Sequence, residues 1–268
     1  MRRPKVAPWV KSALVSVHLH IARRPPISDL RCFLAKLRPV ECDIDLIRLG
    51  GNGDGGYLIP NDLEGIDYCF SPGVSTVASF ESDLADRGIR SYLTDFSVEA
   101  PPIARPEFTF DKKFLGAYDG DNVMTLASWK DRYQKAYSGD LLLQMDIEGS
   151  EYEVILNTPD SLLDQFRIIV IEFHDLHRLF DPFGFNVIST CFYKVLRSFH
   201  VLHIHPNNCR GAVTCQGIAI PPVMEFTFIN KRRVSHTRPQ VQFPHKLDAD
   251  NTQAKPIVLP ACWYVEPS

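Results

Sequence analysis

The sequence has no apolar run approaching the roughly 18 residues needed to span a bilayer, so it predicts no transmembrane segment. Its 268 residues are 45% hydrophobic and 23% charged, with a formal net charge of −3. A charge so close to zero gives no reason to expect a nucleic-acid partner. Internal repeats and low-complexity blocks are also missing. What is left is an ordinary globular composition, long enough for one large domain or two small ones.

Tight, repeated cysteine spacing is missing too. The seven cysteines form an odd set, and Cys69 and Cys191 lie inside apolar runs, where a free thiol behaves as a small hydrophobic side chain. The pattern argues against a disulfide scaffold and favours a reducing compartment, so we expect a cytoplasmic location.

Acidic residues are missing from the first 24 positions, which carry six Lys or Arg. The segment "WVKSALVSVHLHIA" is interrupted by polar residues, and no A-x-A-like cleavage site follows it, which disfavours a secretory signal. We expect residues 1–43 to form a basic, helical N-terminal extension. Contact with an anionic membrane surface through an amphipathic helix remains an alternative. The sequence does not indicate an oligomeric state.

From residue 44 onward, short apolar runs alternate with helical patterns, as in a largely parallel α/β sheet. We predict helices at 75–88, 125–139 and 185–199, and strands at 65–71, 89–96, 107–117, from Leu141 onward, at 166–174, at 200–206 and at 224–230. The connection between the last two strands has no room for a helix, so we predict that they pair antiparallel. The expected fold is a doubly wound α/β sheet over residues 44–230, with residues 231–268 as a tail packed on it.

Ligands bind such sheets beyond the carboxyl ends of the strands. The first predicted strand ends in "FSPGVST", where Gly73 permits a close approach of backbone to ligand, and where Ser75 or Thr76 can cap the next helix. Asp95 follows 22 residues after Gly73, at the distance expected of a carboxylate that binds a ribose diol. We therefore predict cofactor contacts from Ser71, Gly73, Ser75 and Asp95. G-x-G-x-x-G is absent, which argues against a dehydrogenase.

Four segments together resemble the FkbM-type methyltransferase family: "RLGGNGDGGYLIP", "CFSPGVSTVASFE", "DLLLQMDIEGSEYEVI" and "RIIVIEFH". The resemblance covers roughly residues 44–230, and its most specific part is "MDIEGSEYEVI". It implies a class I methyltransferase-like (Rossmann-like) sheet of about seven strands, S-adenosylmethionine as cofactor, and O-methyl transfer to a hydroxyl of a small molecule or sugar. This chain departs from the family pattern in the single glycine of "SPGVS", and in Gln144 where a Lys often stands.

Acidic residues and a histidine follow the fourth and fifth predicted strands, whose ends are neighbours if the two strands are adjacent. Asp146 and Glu148 follow the fourth, and Glu172 and His174 end the fifth. We interpret His174, Asp146 and Glu172 as catalytic, with His174 as the candidate base because its unperturbed pKa lies near neutrality. His174 could instead orient Glu172. Asp146 and Glu172 could alternatively hold Mg²⁺, which would lower the pKa of the acceptor hydroxyl.

Candidate acceptor-binding residues lie in the loops and in the sixth strand. They are Asp54, Tyr57, Glu148, His205, Asn207 and Asn208. His203 and His205 share one face of a strand, and Cys209 and Cys215 follow, but the spacing does not match known zinc motifs. We therefore favour a crevice-lining role for this cluster over zinc binding. Glu151 and Glu153 are expected to serve a helix N-terminus, where negative charge is favourable.

Two other functional classes remain open beside the methyltransferase. One is a catalytically silent α/β module that binds a nucleotide-like ligand or a partner. The other is an NAD-linked oxidoreductase, which the missing glycine fingerprint disfavours. Binding of S-adenosylhomocysteine or of NAD would separate the classes.

Overall fold

The computed structural model describes residues 23–133 and 140–265. The start of the predicted N-terminal extension and residues 134–139 lie outside the described residues. The helices are α1 (Ile27–Lys36), α2 (Ser79–Ala85), α3 (Leu126–Tyr133), α4 (Glu151–Asn157), α5 (Asp160–Leu163) and α6 (Pro182–Ser198). Short 3₁₀ turns span Leu176–Phe180, Lys231–Arg233 and Ala261–Trp263.

Seven strands form the main sheet: β4 (Ile66–Pro72), β5 (Arg90–Thr94), β6 (Phe108–Asp111), β9 (Asp140–Met145), β10 (Phe166–Phe173), β11 (Phe199–Pro206) and β14 (Met224–Asn230). Their spatial order is β11-β14-β10-β9-β4-β5-β6. The five strands from β10 to β6 are parallel, and β14 lies antiparallel between β10 and β11. The chain reverses its winding between β4 and β9, and this is where a doubly wound sheet binds its ligand.

The remaining strands are short. They are β1 (Val40–Glu41), β2 (Leu46–Leu49), β3 (Tyr57–Pro60), β7 (Phe114–Leu115), β8 (Val123–Met124), β12 (Val213–Cys215), β13 (Ile218–Ile220) and β15 (Arg238–Pro239). They form four two-stranded pairs, of which the β2–β3 hairpin packs on one face of the main sheet.

The predicted fold class and the antiparallel final pair are confirmed. β9 and β10 are hydrogen-bonded parallel neighbours, which brings their carboxyl ends together as the prediction required. One predicted strand, 107–117, is in fact two, because β6 ends at Asp111 and β7 belongs to a separate pair. The helix expected to begin at Ser75 begins at Ser79 with Ala78 at its N-cap, and no side chain caps it.

The core occupies both faces of the sheet because β10 is apolar on both of its sides. Ile169, Ile171 and Phe173 face the larger cluster, which includes α6 and Trp129. Ile168 and Val170 face the smaller cluster beneath the β2–β3 hairpin and α2. A strand buried on both faces is typical of parallel sheets, so this uninterrupted apolar run is the reason that β10 lies inside the sheet.

Segments that precede and follow the main sheet in the sequence also contribute to the core. Phe33 of α1 is fully buried, against Phe192 of α6. Trp263 near the C-terminus is fully buried and donates its indole N–H to the carbonyl of Ala219. Among the described residues, no helix has both the length and the apolar character needed to cross a bilayer.

Candidate active site

A cavity of about 560 Å³ opens beyond the carboxyl ends of β4, β5 and β9, at the point where the winding reverses. Its volume is within the range of small-molecule sites. The lining comes from the β2–β3 loop, the β4–α2 turn, the end of β5 and the acidic loop after β9. It includes Asp54, Tyr57, Gly73, Ser75, Thr76, Asp95, Ser97, Gln144, Asp146 and Glu148.

Gly73 permits the close approach of two strand ends at the floor of this cavity. Its φ is +89°, and a Cβ built there would lie 1.5 Å from the carbonyl oxygen of Asp146. Only glycine fits, since real Cβ contacts shorter than 3.0 Å essentially do not occur. Backbone bonds hold the junction, with Gly73 N–H donating to Thr94 (2.9 Å) and Asp146 N–H donating to Pro72 (3.3 Å).

Asp95 lies at the end of β5 with its carboxylate held in place by the neighbouring turns. The backbone N–H of Ser75 donates to Asp95 Oδ2 at 2.8 Å, and both the N–H and the hydroxyl of Ser97 donate to Oδ1 at 2.7 Å. Oδ1 therefore already accepts two hydrogen bonds, whereas Oδ2 accepts one and keeps a lone pair for a ligand hydroxyl. Ser75, with φ +41°, serves this contact rather than capping α2.

Ser71 does not line the cavity but belongs to a buried polar network beside it. Its hydroxyl contacts the carboxyl of Glu81 and the amide oxygen of Gln144 (2.6 Å), while Gln144 Nε2 donates to the Tyr57 hydroxyl (3.2 Å). Burial raises the pKa of Glu81, which favours the protonated carboxyl as donor to Ser71. The network fixes Tyr57 at the cavity wall. Gln144 offers this network both an acceptor toward Ser71 and a donor toward Tyr57, whereas a Lys could only donate.

The loop after β9 turns sharply, and hydrogen bonds to the side chain of Glu151 hold it in place. Glu148 and Gly149 both have positive φ, +55° and +109°. Glu151 is fully buried, and its Oε1 accepts hydrogen bonds from the backbone of Gly149 (2.9 Å) and Ile147 (3.3 Å). Glu151, the first residue of α4, thus satisfies two N–H groups of the loop that precedes the helix, whereas no side chain caps the helix itself.

Glu151 also holds His174, and this second contact was not predicted. His174 Nδ1 lies 3.0 Å from Glu151 Oε1. Desolvation lowers the pKa of His174, but the hydrogen bond to Glu151 and the neighbouring negative charges outweigh it and raise the pKa to about 9. The pKa of this imidazole therefore lies above the ordinary value, and its surroundings favour the positively charged form at neutral pH.

Three further carboxylates surround His174 Nε2. Glu148 Oε2 lies at 3.4 Å, Glu172 Oε1 at 3.6 Å and Asp146 Oδ1 at 3.9 Å. Desolvation raises the pKa of Asp146 to about 7, although the His174 charge opposes this rise. Desolvation together with the charge of Asp146 also raises the pKa of Glu172 well above its usual range. Asp146 is thus the carboxyl that titrates near neutrality.

The same cluster has a donor set that could hold a metal ion. Ligand atoms of Asp146, Glu148 and His174 lie within 4.8 Å of one another. Asp146 Oδ1 is buried without a hydrogen-bond partner. However, the His174 imidazolium already supplies a positive charge among these carboxylates, so a cation would have to compete with that proton.

The predicted acceptor-binding residues separate into two groups. Asp54, Tyr57 and Glu148 line the cavity. The structure does not bring His205, Asn207 and Asn208 there. Asn207 donates to Glu172 at 3.1 Å, whereas Asn208 is buried and bonds the C-terminal segment at Thr252 and Ala254.

Sequence reasoning missed the roles that three buried polar residues have in this region. Glu81, Gln144 and Glu151 are buried at 4%, 5% and 0% exposure. Gln144 had a readable signal, since a polar residue inside the apolar run of β9 needs a buried partner. Glu81 and Glu151 stand in the first turns of helices, where an acidic residue is ordinary, and nothing in the local pattern distinguishes them.

The seven-stranded sheet with its reversed β14, and the cavity at the switch point, define a class I methyltransferase fold. A family model for the methyltransferase FkbM domain matches residues 76–211. The chain therefore belongs to the FkbM methyltransferase family, and the methyl donor that this family implies is S-adenosylmethionine.

Comparison with individual proteins adds little. None of the curated proteins matches the chain. A chain of the fibrillarin/Nop5p complex is similar at 13% identity and a TM-score of 0.37, covering 63% of this chain and 74% of that one. The N-methyltransferase NodS from Bradyrhizobium japonicum WM9 is similar at 11% identity and a TM-score of 0.32, covering 76% and 96%. At these TM-scores neither similarity supports an argument about function.

Proposed function

We propose that this chain is an S-adenosylmethionine-dependent O-methyltransferase acting on a hydroxyl of a small molecule or sugar. The observation that carries the proposal is the position of Asp146. It lies on the wall of the cavity, it titrates near neutrality, and its Oδ1 has no hydrogen-bond partner. A group with these properties suits removal of a proton from an alcohol.

The cofactor-binding residues proposed are Ser71, Gly73, Ser75 and Asp95. The fit rests on the cavity beside the Gly73 junction and on Asp95, which lines that cavity and whose Oδ2 keeps a free lone pair. Ser71 would act indirectly, through Gln144 and Tyr57. When bound, S-adenosylmethionine supplies an electrophilic methyl group whose departure leaves the bonding pair on sulfur.

The catalytic residues proposed are Asp146, Glu172 and His174. As the acceptor oxygen bonds the methyl carbon, Asp146 takes the proton that this oxygen releases. His174 stays protonated and limits the cost of charge on Asp146, since its positive charge lowers that pKa. His174 itself would act as the base only after losing its own proton, which its pKa of about 9 disfavours at neutral pH. The residues proposed to contact the acceptor are Asp54, Tyr57 and Glu148.

A Mg²⁺-assisted version of the same reaction remains the second candidate, and the clustered ligand atoms around His174 favour it. Asp146 would then be a ligand together with Glu172 or Glu148, and the ion would lower the pKa of the acceptor hydroxyl. Transfer in the presence of Mg²⁺ and of a chelator separates the two versions.

The domain division and the location are proposed from the sequence. We propose an N-terminal extension (1–43), a catalytic domain (44–230) and a C-terminal tail (231–268). The seven free thiols are consistent with a cytoplasmic location.

The first experiment is calorimetric titration of the full chain with S-adenosylhomocysteine, using Asp95→Asn and the matched surface variant Asp121→Asn. Loss of charge-assisted hydrogen bonds at Asp95 should cost about 1.5–3 kcal/mol, or about ten- to hundredfold in Kd. The Asp121 variant should bind like the wild type, because its side chain is exposed.

Failure of the folded wild type to bind S-adenosylhomocysteine would refute the proposal and favour a catalytically silent module, while binding of NAD instead would indicate an oxidoreductase. If the wild type binds, an acceptor screen with labelled methyl donor follows. Asp146→Asn should then abolish transfer without weakening cofactor binding, whereas unchanged transfer in this variant would remove Asp146 from the role of base.

A further inference from the structure

A second cluster of metal-binding side chains lies away from the cavity, between β11 and the C-terminal segment. It consists of His203, His205 and Asp248, whose ligand atoms all lie within 4.8 Å of one another. His203 Nε2 lies 2.8 Å from Asp248 Oδ1, and His205 Nδ1 lies 3.7 Å from the same oxygen. Two imidazoles thus converge on one carboxylate oxygen contributed from 45 residues further along the chain.

All three side chains are more than nine-tenths buried, at 3%, 9% and 7% exposure for His203, His205 and Asp248. Both ring nitrogens of His205 lack a hydrogen-bond partner. A neutral imidazole has one N–H and one lone pair, so His205 leaves a donor and an acceptor unsatisfied away from water. Such burial is costly, so a buried imidazole normally has a protein group, an ordered water or an ion as its partner.

Protonation does not resolve this arrangement well. The buried carboxyl of Glu225 also faces His205, but two imidazolium ions side by side would still repel each other, and a single shared proton would satisfy only His203. A divalent cation between the three atoms would bond one nitrogen of each imidazole and the carboxylate oxygen at once, and it would leave the second ring nitrogens, His203 Nδ1 and His205 Nε2, without a protein partner. With metal–ligand bonds of about 2.0–2.1 Å, tetrahedral zinc places its ligand atoms about 3.3 Å apart. The two distances to Asp248 Oδ1, 2.8 and 3.7 Å, lie on either side of that value.

The surroundings orient the ligands and leave room for a fourth one. The backbone N–H of His245 donates to Asp248 Oδ2 at 2.8 Å, which aims the other oxygen at the histidines. His205 and Asp248 both line a separate cavity of about 270 Å³. Three protein ligands with open space beside them match the pattern in which zinc keeps one position for water.

We propose that His203, His205 and Asp248 bind a zinc ion that fastens the C-terminal segment to β11. Imidazole and carboxylate ligands suit zinc among the available divalent metals. The tail carrying Asp248 also bonds Asn208, in the loop after β11, and β14 through Asn251, so an ion here adds to existing contacts. This inference is independent of the methyltransferase proposal.

The test uses the full chain, stripped with a chelator and then titrated with Zn²⁺ against a chromogenic competitor. The wild type should bind one zinc at this site, and zinc should raise its Tm by linkage. His205→Gln and Asp248→Asn should weaken binding more than about tenfold. His177→Gln, in a histidine outside both clusters, should leave it unchanged. The X-ray absorption spectrum at the zinc edge, recorded on the wild type, should show two imidazoles in the first coordination shell.

Several outcomes would overturn the proposal. Wild-type protein that binds no zinc would do so, as would a coordination shell without histidine pairs. Zinc that survives His205→Gln but disappears in Asp146→Asn belongs to the cavity cluster, which likewise contradicts this site. The spectrum of the wild type decides the matter even if the variants fail to fold.

Discussion

Replacing Gly73 with alanine should destabilise the protein more than the same change at Gly88. The two glycines share a left-handed backbone, with φ of +89° and +81°. The added methyl would meet nothing within 4 Å at Gly88 but would lie 1.5 Å from the Asp146 carbonyl oxygen at Gly73. The pair therefore separates the cost of the backbone conformation from the cost of the clash.

The backbone term is about 1–2 kcal/mol for an L-residue in this region and applies to both variants. At Gly73 the strand ends must also separate by about 1.5 Å to reach the 3.0 Å limit of real contacts. That shift breaks the bond from Asp146 N–H to Pro72, which crosses the junction of β4 and β9 and contributes about 1 kcal/mol. We expect a total loss of about 2–3 kcal/mol for Gly73→Ala, against about 1–2 kcal/mol for Gly88→Ala.

Urea denaturation of the wild type and both variants measures these free energies of unfolding directly. Thermal unfolding should agree, at about 2–4 °C per kcal/mol for a chain of this size. Gly73→Ala should in addition lose affinity for S-adenosylhomocysteine, because the displaced strand ends form the floor of the cavity. Equal free energies of unfolding for the two variants would refute the close approach of β4 and β9 at this junction.

Three further changes test other contacts. Glu151→Gln should lower the pKa of His174 from about 9, measured by NMR titration in metal-free buffer, because the imidazolium loses its nearest negative charge. In the wild type, the raised pKa of His174 contributes stability that is fully present below about pH 6.5 and is lost as the pH rises through 9. If the difference in free energy of unfolding between wild type and Glu151→Gln did not change with pH across that window, the contact between Glu151 and His174 would not be the cause of the raised pKa. Arg167→Ala should cost about 1–3 kcal/mol, since it removes the buried guanidinium that donates to Asp140 and to the carbonyls of Asp62 and Glu64, whereas Arg238→Ala, in an exposed ion pair, should leave the free energy of unfolding nearly unchanged. Trp263→Ala should cost about 3–5 kcal/mol by urea denaturation if the C-terminal segment is part of the core, and a negligible loss would show that it is not.

The sequence allowed the main sheet to be predicted because its strands carry strong local signals. The apolar run of β10 and the alternation of runs and helical patterns identify five parallel strands without any tertiary information. Which strands pair with each other in the sheet could not be predicted in the same way. Nothing local places β14 between β10 and β11, because the two registers depend on contacts between segments far apart in the chain.

The candidate site was predictable only in part, for the same reason. Asp146 and Asp95 follow strands, and their position at the cavity follows from topology alone. The raised pKa of His174 depends on Glu151, and the partner of His203 is Asp248, 45 residues away. Burial and contacts between distant segments determine the pKa of His174 and the partner of His203, and neither can be predicted from residue spacing along the chain.

The position of β14 has a consequence for the order in which the protein can be assembled. Its residues, Met224–Asn230, leave the ribosome after both of the strands that flank it in the finished sheet. Until then, β10 and β11 each present a long, apolar, unpaired edge, the kind that recruits strands from other molecules. The nascent chain must therefore keep these two edges apart and protected until the late strand inserts between them. A fragment restricted to residues 76–211 lacks both β14 and β4, so it would expose such edges permanently.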